Sequence, residues 1–266
     1  DIVSLINDIK EDPLFNYTLK ALIKLGEVEE NVAQNWLESF LWKIITRHYQ
    51  KRLTQSDIDA LIDLFSGEVK NKVTKCRIIA WLQNVYLRTS EIVLDKGVLL
   101  RIPTKDDFEV QYPLGAPIYY NLQPMILPDA ILQIEKQMTP DLQDIAIIEY
   151  YVTALQLYKP CSAYVYYIKI EPNSVIYPVK HYKSIQSLQA STFRYTLTSN
   201  DADKLRALIK EIVPRLPLND TGKPRLEHFL GIALSRYQAS LLKMEPLSVR
   251  LAYAVFGLEA LYLKEG

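Results

Sequence analysis

Glycine is scarce in this sequence, with 8 in 266 residues, and the glycines are scattered. None falls into GxGxxG or GxxxxGKS/T spacing, so a phosphate-cradling loop has no basis. GxSxG is absent too, which removes the nucleophile elbow of serine hydrolases. There are 2 cysteines, Cys76 and Cys161, far apart and without CxxC or Cys/His spacing. That excludes a zinc ribbon or finger and predicts two free thiols, buried or half-buried, in a reducing compartment. No uncharged apolar run reaches the ~18 residues of a membrane span. The first residues carry acids where a secretory leader carries a basic stretch, so the default expectation is a cytoplasmic protein with no membrane partner. Neither sign of charge is in excess, with 31 basic and 31 acidic residues. That argues against binding driven mainly by a global basic field and leaves room for a local basic groove.

What is present is a core. Forty-nine per cent of residues are hydrophobic, which excludes a disordered chain and suits one large domain or two modest ones. The pattern predicts an α+β fold. Residues 1–67 read as a helical segment. Val32, Trp36, Leu37, Phe40, Leu41, Ile44 and Ile45 form one stripe at helical period. Thr54 and Asp57 resemble a capping box that opens a helix ending at Gly67. Residues 68–218 read as an α+β region with a small mixed sheet. Glu91–Ile102 is two β-prone runs around Asp95-Lys96-Gly97, a hairpin signal. Phe108–Tyr112 alternates, and the prolines from Pro113 to Pro128 mark a loop-rich stretch. Asp129–Tyr158 reads as helix in two pieces split near Pro140. Ser162–Ile170 alternates as a strand, with further strand candidates at Val175–Val179 and Thr192–Thr198. A helix follows Asn200, and Pro217–Pro224 is the best linker. Arg225–Leu242 and Leu247–Leu263 read as helices. The second is apolar nearly all round, which predicts a helix enclosed by others, supplied by the upstream domain, a second subunit or missing chain.

Several residues invite a functional reading beside a structural one. His48 ends a helix, where a cation suits the dipole, and His228 reads as a helix-boundary histidine. Lys180-His181-Tyr182-Lys183 joins basic and aromatic side chains that could grip phosphate and stack on a base. A solvated strand end explains it too. Lys70, Lys72, Lys75 and Arg77 are a second basic cluster, readable as a nucleic-acid face or a solvated surface. Glu259 and Arg250 are the formal charges of Val249–Leu263. They are nine residues apart, so the helix turns about 900° between them and they point to opposite sides. A buried Glu259 would need a partner, and Arg236 on the preceding helix is the candidate. In one reading Glu259 lines a polar site between helices, and in the other it emerges at the bundle edge.

The run from Arg225 through Ala233, Arg236-Tyr237 and Ser240, followed by Ser248 to Leu263 with Leu258-Glu259-Ala260-Leu261, resembles the start of an Apea-like HEPN domain. Ala154–Pro160 followed by a strand is similar to the region that precedes such domains, although Gln156 and Cys161 stand where that family usually has Arg and Gly. The resemblance runs from about Glu149 to the end. It makes residues 219–266 the first helices of a HEPN-type bundle and implies a homodimer. It also implies a metal-independent ribonuclease in phage defence or a toxin-like system, with RNA as partner and no cofactor. Residues upstream would then sense a trigger or restrain the nuclease. The family's catalytic signature is Arg, four to six residues, then His. In such chemistry the His moves a proton for attack by the RNA 2′-OH and the Arg stabilises the phosphorane. That Arg would have to lie at 41–43, 174–176 or 221–223, and none does. Starting at Asp1 and stopping at Gly266 after an apolar helical run, the chain reads as a piece of a longer protein whose motif lies further on. Arg236 and Glu259 are then residues bordering the site. The alternative is a non-catalytic interaction or assembly module with an inactive HEPN-like bundle.

Overall fold

The computed structural model describes residues 2–71, 73–108, 127–138, 146–177, 179–183, 194–243 and 245–262. The class is α+β. Four helices come first: α1 (Ile2–Glu11), α2 (Pro13–Gly26), α3 (Glu30–Gln50) and α4 (Gln55–Asn71). The strands are β1 (Thr74–Gln83), β2 (Val85–Leu87), β3 (Glu91–Asp95), β4 (Val98–Arg101), β5 (Ala130–Met138), β6 (Tyr164–Pro172), β7 (Lys180–Lys183) and β8 (Tyr195–Leu197). Among them are a short helix α5 (Lys105–Phe108) and the longer α6 (Ala146–Tyr158), and after them come α7 (Ala202–Glu211), α8 (Phe229–Leu242) and α9 (Leu247–Tyr262). The main sheet has six strands in the order β3-β4-β5-β1-β6-β7, and β2 pairs separately with β8 in parallel.

Contacts divide the chain into two compact units, each drawn from distant parts of the sequence. One comprises Asp1–Arg77, Glu135–Asp141 and Ile170–Lys180, and the other Ile78–Ile134, Leu142–Lys169 and His181–Gly266. In the first unit α1–α4 close over Phe15, Leu19, Leu22, Trp36, Leu37, Phe40, Leu61 and Phe65. Phe40 and Phe65 stack with ring centroids 4.3 Å apart. Asp12 caps α2 by accepting from the Leu14 N–H, ahead of Pro13 in the first helical turn, where its missing N–H costs nothing. The box at Thr54 and Asp57 is formed in both directions, at 2.9 and 3.3 Å. Its helix runs past Gly67 to Asn71.

In the second unit the hairpin turns at Asp95-Lys96-Gly97, with Gly97 at φ 74°. Asn84, at φ 67°, bends the chain out of β1, a conformation asparagine tolerates better than most residues. Its side chain donates to Ser162 O at 3.0 Å and its N–H to Asp129 Oδ2 at 2.6 Å. Thr198 and Asp201 form a capping box ahead of α7. Both cysteines, Cys76 in the first unit and Cys161 in the second, are buried and in thiol form, with no disulfide between them.

Two expectations change, at Ala130–Met138 and at Val175–Val179, and two others gain detail. Ala130–Met138 is a strand, β5, and only Ala146–Tyr158 is helix. Consecutive buried residues Ala130, Ile131 and Leu132 belong to a central strand covered on both faces, so they carry no alternation to read. Val175–Val179 forms no strand among its described residues, because the backbone there turns around Ser174. In the basic cluster Lys75 pairs with Glu135 at 2.9 Å and Arg77 with Glu171 at 2.7 Å, so acids brought in by the fold offset that charge. The described residues of this chain do not by themselves enclose α9. It packs on α8, while Leu247 is 69% exposed, Leu251 56%, Phe256 52% and Leu258 55%. Composition names a helix's apolar faces without saying which are covered. Phe108–Tyr112, apart from Phe108 at the end of α5, lies outside the described residues, as does the proline-rich stretch before Leu127. Among the described residues no helix is long and apolar enough to cross a membrane.

Candidate functional site

The second unit holds a cleft of about 490 Å³ bordered by α6, β6, β7, the 223–226 segment and α8. Its walls include Val152, Val165, Ile168 and Leu226, and its polar groups come from Glu149, Tyr164, Tyr182, Lys223, Ser235 and Gln238. Its lining is polar and apolar in similar measure, and a hollow in which several polar groups converge beside apolar walls suits a polar small ligand.

Each side is fixed by short-range chemistry. On α6, Thr153 and Gln156 are almost fully buried, so their polar atoms need partners. Gln156 Nε2 donates to Ala163 O at 2.7 Å. Gln238 Nε2 on α8 donates to Gln156 Oε1 at 3.0 Å and Thr153 Oγ1 at 3.2 Å. The Tyr237 hydroxyl donates to Gln156 O at 2.7 Å. Thus α8 is tied to α6 by side chains of two adjacent residues. His228 begins α8 as its N-cap, its Nδ1 accepting from the Leu230 N–H at 3.2 Å.

The opposite lip is a tight turn. Asn219 Oδ1 accepts from Thr221 N, Thr221 Oγ1 and Lys223 N at 2.7–3.0 Å. Gly222 sits at φ 76°, and a Cβ there would stand 2.7 Å from Ala146 O and 2.8 Å from Glu149 Cβ. Only glycine satisfies both the left-handed backbone and the close approach. The turn is thereby seated against the first turn of α6, which brings Lys223 near Glu149. Burial pushes the Glu149 carboxyl above its ordinary value, and the Lys223 charge partly opposes the shift. Among the described residues Glu149 has no hydrogen bond or ion pair. A half-buried carboxyl without donors carries a desolvation cost that a ligand with N–H groups would offset.

The sequence-predicted residues are distributed unevenly. Of Lys180-His181-Tyr182-Lys183, the pattern expected to contact RNA, Tyr182 lines the cleft. His181 faces the other way, as strand alternation requires, with Nδ1 hydrogen-bonded to the Tyr167 hydroxyl and its ring 5.9 Å from the Tyr167 ring. Lys180 is half-buried, and the Lys183 side chain lies outside the description. Arg236 and Glu259 are not brought together. The Arg236 guanidinium lies 5.8 Å from the Tyr253 ring, while Glu259 is exposed with no hydrogen bond or ion pair among the described residues. Arg250 instead donates to Ser240 O at 2.7 Å. His48 ends α3, its Nδ1 accepting from the Leu53 N–H at 3.3 Å.

Sequence reasoning missed Glu149, Lys223 and Gln238. For Glu149 a signal existed, since it is the sole formally charged residue of α6. Nothing in sequence spacing links Lys223 to it. Among the described residues no group of three His, Cys, Asp or Glu side chains is placed to hold a metal. Among the described residues no histidine lines the cleft. No family model, curated protein or solved structure matches this chain.

Proposed function

We propose that this chain is the sensing and restraining part of a HEPN-type ribonuclease of the Apea-like kind, together with the first two helices of the nuclease bundle, acting in phage defence or a toxin-like system in the cytoplasm. The observation that carries the reading is the pairing of α8, with Ala233 and Arg236-Tyr237, against α9, with Leu258-Glu259-Ala260-Leu261. Gly257 in α9 lies so close to α8 that a Cβ would stand 3.2 Å from Ala233 O. Tyr237 and Gln238 then bond α6, so a helix pair of HEPN character is wired into the α+β unit that precedes it. A movement of α6 would be felt by α8, which is what a restraining element requires. RNA is the partner, Tyr182 is its contact from the basic-aromatic tetrapeptide, and Arg236 and Glu259 border the nuclease site.

The reading requires Arg, four to six residues, then His in the reading frame beyond Gly266. With that motif intact, the full-length product cleaves single-stranded RNA without metal, and substituting the His abolishes cleavage. Lack of the motif, or cleavage that survives the substitution, overturns it. A second reading, a non-catalytic assembly module, draws on α9. Its exposed Leu247, Leu251, Val255, Phe256 and Leu258 suit a protein partner, including a second copy of this chain. Light scattering on the full-length protein tests the homodimer.

A further inference from the structure

The cleft asks for a particular ligand chemistry. Its acceptor is Glu149, whose two carboxylate oxygens have no donors among the described residues. Its nearby cation is Lys223, held by the Asn219 turn. Its aromatic residues are Tyr164 and Tyr182, and its other walls mix apolar side chains such as Val152, Ile168 and Leu226 with Gln156, Ser235 and Gln238. A volume of about 490 Å³ admits a planar heterocycle. A carboxylate is satisfied in pairs by two adjacent N–H donors held in one plane. Among the four RNA bases only guanine offers that pair, from N1–H and N2–H, on its Watson–Crick edge. Adenine and cytosine place an acceptor beside the amino group, and uracil flanks its single N–H with two carbonyls. The guanine O6, next to N1, is an acceptor that an ammonium can meet. Unstacked bases are bound in this way, by edge hydrogen bonds together with aromatic contact.

We propose that the cleft between α6, β6, β7 and α8 is a guanine-base pocket. Glu149 accepts from N1–H and N2–H, Lys223 donates to O6, and Tyr164 and Tyr182 border the ring. This deepens the RNA reading and rests on it for the biological source of the base, but the chemistry is that of guanine, whether in an RNA strand or a free nucleotide. The orphaned Glu149 carboxylate is the feature that selects the base. The neighbouring amides of Gln156 and Gln238 are occupied with each other and with Thr153 and Ala163 O, and so shape the wall.

The test is a binding titration of the full chain with GMP, AMP, CMP and UMP, and with a short single-stranded RNA whose guanines are present or all replaced by adenine. GMP is expected to bind at least about tenfold more tightly than the other mononucleotides. Glu149→Gln should bring the four to within about threefold of one another, because an amide keeps one acceptor and sets an N–H against a ligand N–H. Lys223→Met alters an exposed side chain, so folding is not at stake, and it should weaken GMP severalfold while leaving AMP unchanged. Circular dichroism confirms that both variants fold. If the guanine-bearing RNA binds and its adenine counterpart does not, the base comes from RNA. If GMP binds and neither RNA does, the pocket stands, its source is a free nucleotide, and the RNA reading loses its support. Equal binding of the four nucleotides, no binding, or an unchanged preference in both variants overturns the proposal.

Discussion

Glu68 and Glu149 are both drawn out of water, one in each compact unit, and they are served differently. Glu68 is 4% exposed. Its Oε2 accepts from Ser174 Oγ at 2.7 Å, Val175 N at 3.0 Å and Ile176 N at 3.2 Å. Lys43 completes the arrangement by donating to the Tyr177 and Ser174 carbonyls. Every group has a partner from the same unit, and the result is a clasp that fixes the 174–177 turn over α3 and α4. Among the described residues Glu149 has only the charge of Lys223 nearby, and it opens onto a cleft. Satisfied polar clusters specify a fold, whereas an unsatisfied one at a cavity wall marks where something else is to be supplied.

The largest test of that contrast is at Glu68. Glu68→Ala should destabilise the protein by about 3–5 kcal/mol, since it leaves the Val175 N–H and the Ser174 hydroxyl without their acceptor and Lys43 half-buried without its counter-charge. Urea unfolding measures it. Glu149→Ala, by contrast, should cost less than about 1 kcal/mol or stabilise, because it removes a desolvated carboxyl. Comparable losses at the two sites would dissolve the distinction.

Next comes Gly222. Gly222→Ala combines a left-handed backbone with a Cβ 2.7 Å from Ala146 O, and α6 cannot retreat without losing its own core contacts. A loss of about 2–3 kcal/mol is expected, with GMP affinity falling as Lys223 moves off Glu149. Retained stability and affinity would mean that the turn does not set the cleft.

How far this could be read in advance depends on what carried the signal. The helices of the first unit were legible because Val32 to Ile45 repeat at one period and Thr54 and Asp57 cap locally; both are short-range properties. The hairpin at Asp95-Lys96-Gly97 was legible for the same reason. β5 was not, because its first half, Ala130–Leu132, is buried without alternation and looks like any apolar run. The cleft was legible only in part. Tyr182 stood in a recognisable pattern, and Glu149 stood alone in an apolar helix, but the contact between α6 and the Asn219 turn is a tertiary fact. The Arg236–Glu259 pairing failed as geometry because Arg236 found an aromatic face and Glu259 solvent. Helix spacing places residues around an axis and leaves open what lies opposite.

A smaller effect is expected at the tie between α8 and α6. Tyr237→Phe removes the hydroxyl bonded to Gln156 O and should cost about 1 kcal/mol in urea unfolding. Hydrogen exchange should rise in α8 and leave α3 and α4 unaltered. If exchange in α8 is unmoved, the helix pair is held by packing alone and the restraining role loses its mechanical link.

The finest test uses pH, because the two units should respond with opposite sign. Burial lowers Lys43 to about 8 from 10.5, with Glu68 opposing and Arg47 adding to the fall. Between those values the unfolded chain holds more protons at this site than the folded one, so stability rises with pH there. Lys43 is partly solvated, and screening reduces the gain to the order of 1 kcal/mol. Glu149 is raised above 4.5 by burial. There the folded chain holds the extra proton, so the contribution is full below 4.5 and is lost as pH climbs through the raised value. Stability profiles of the native protein minus Lys43→Met and minus Glu149→Gln isolate the two slopes. A rising difference on the alkaline side for Lys43 and a falling one on the acid side for Glu149 are expected. Bound GMP should flatten the Glu149 slope, since guanine N–H groups favour the ionised carboxylate. A slope that GMP leaves unchanged would place the base away from Glu149, whatever its affinity.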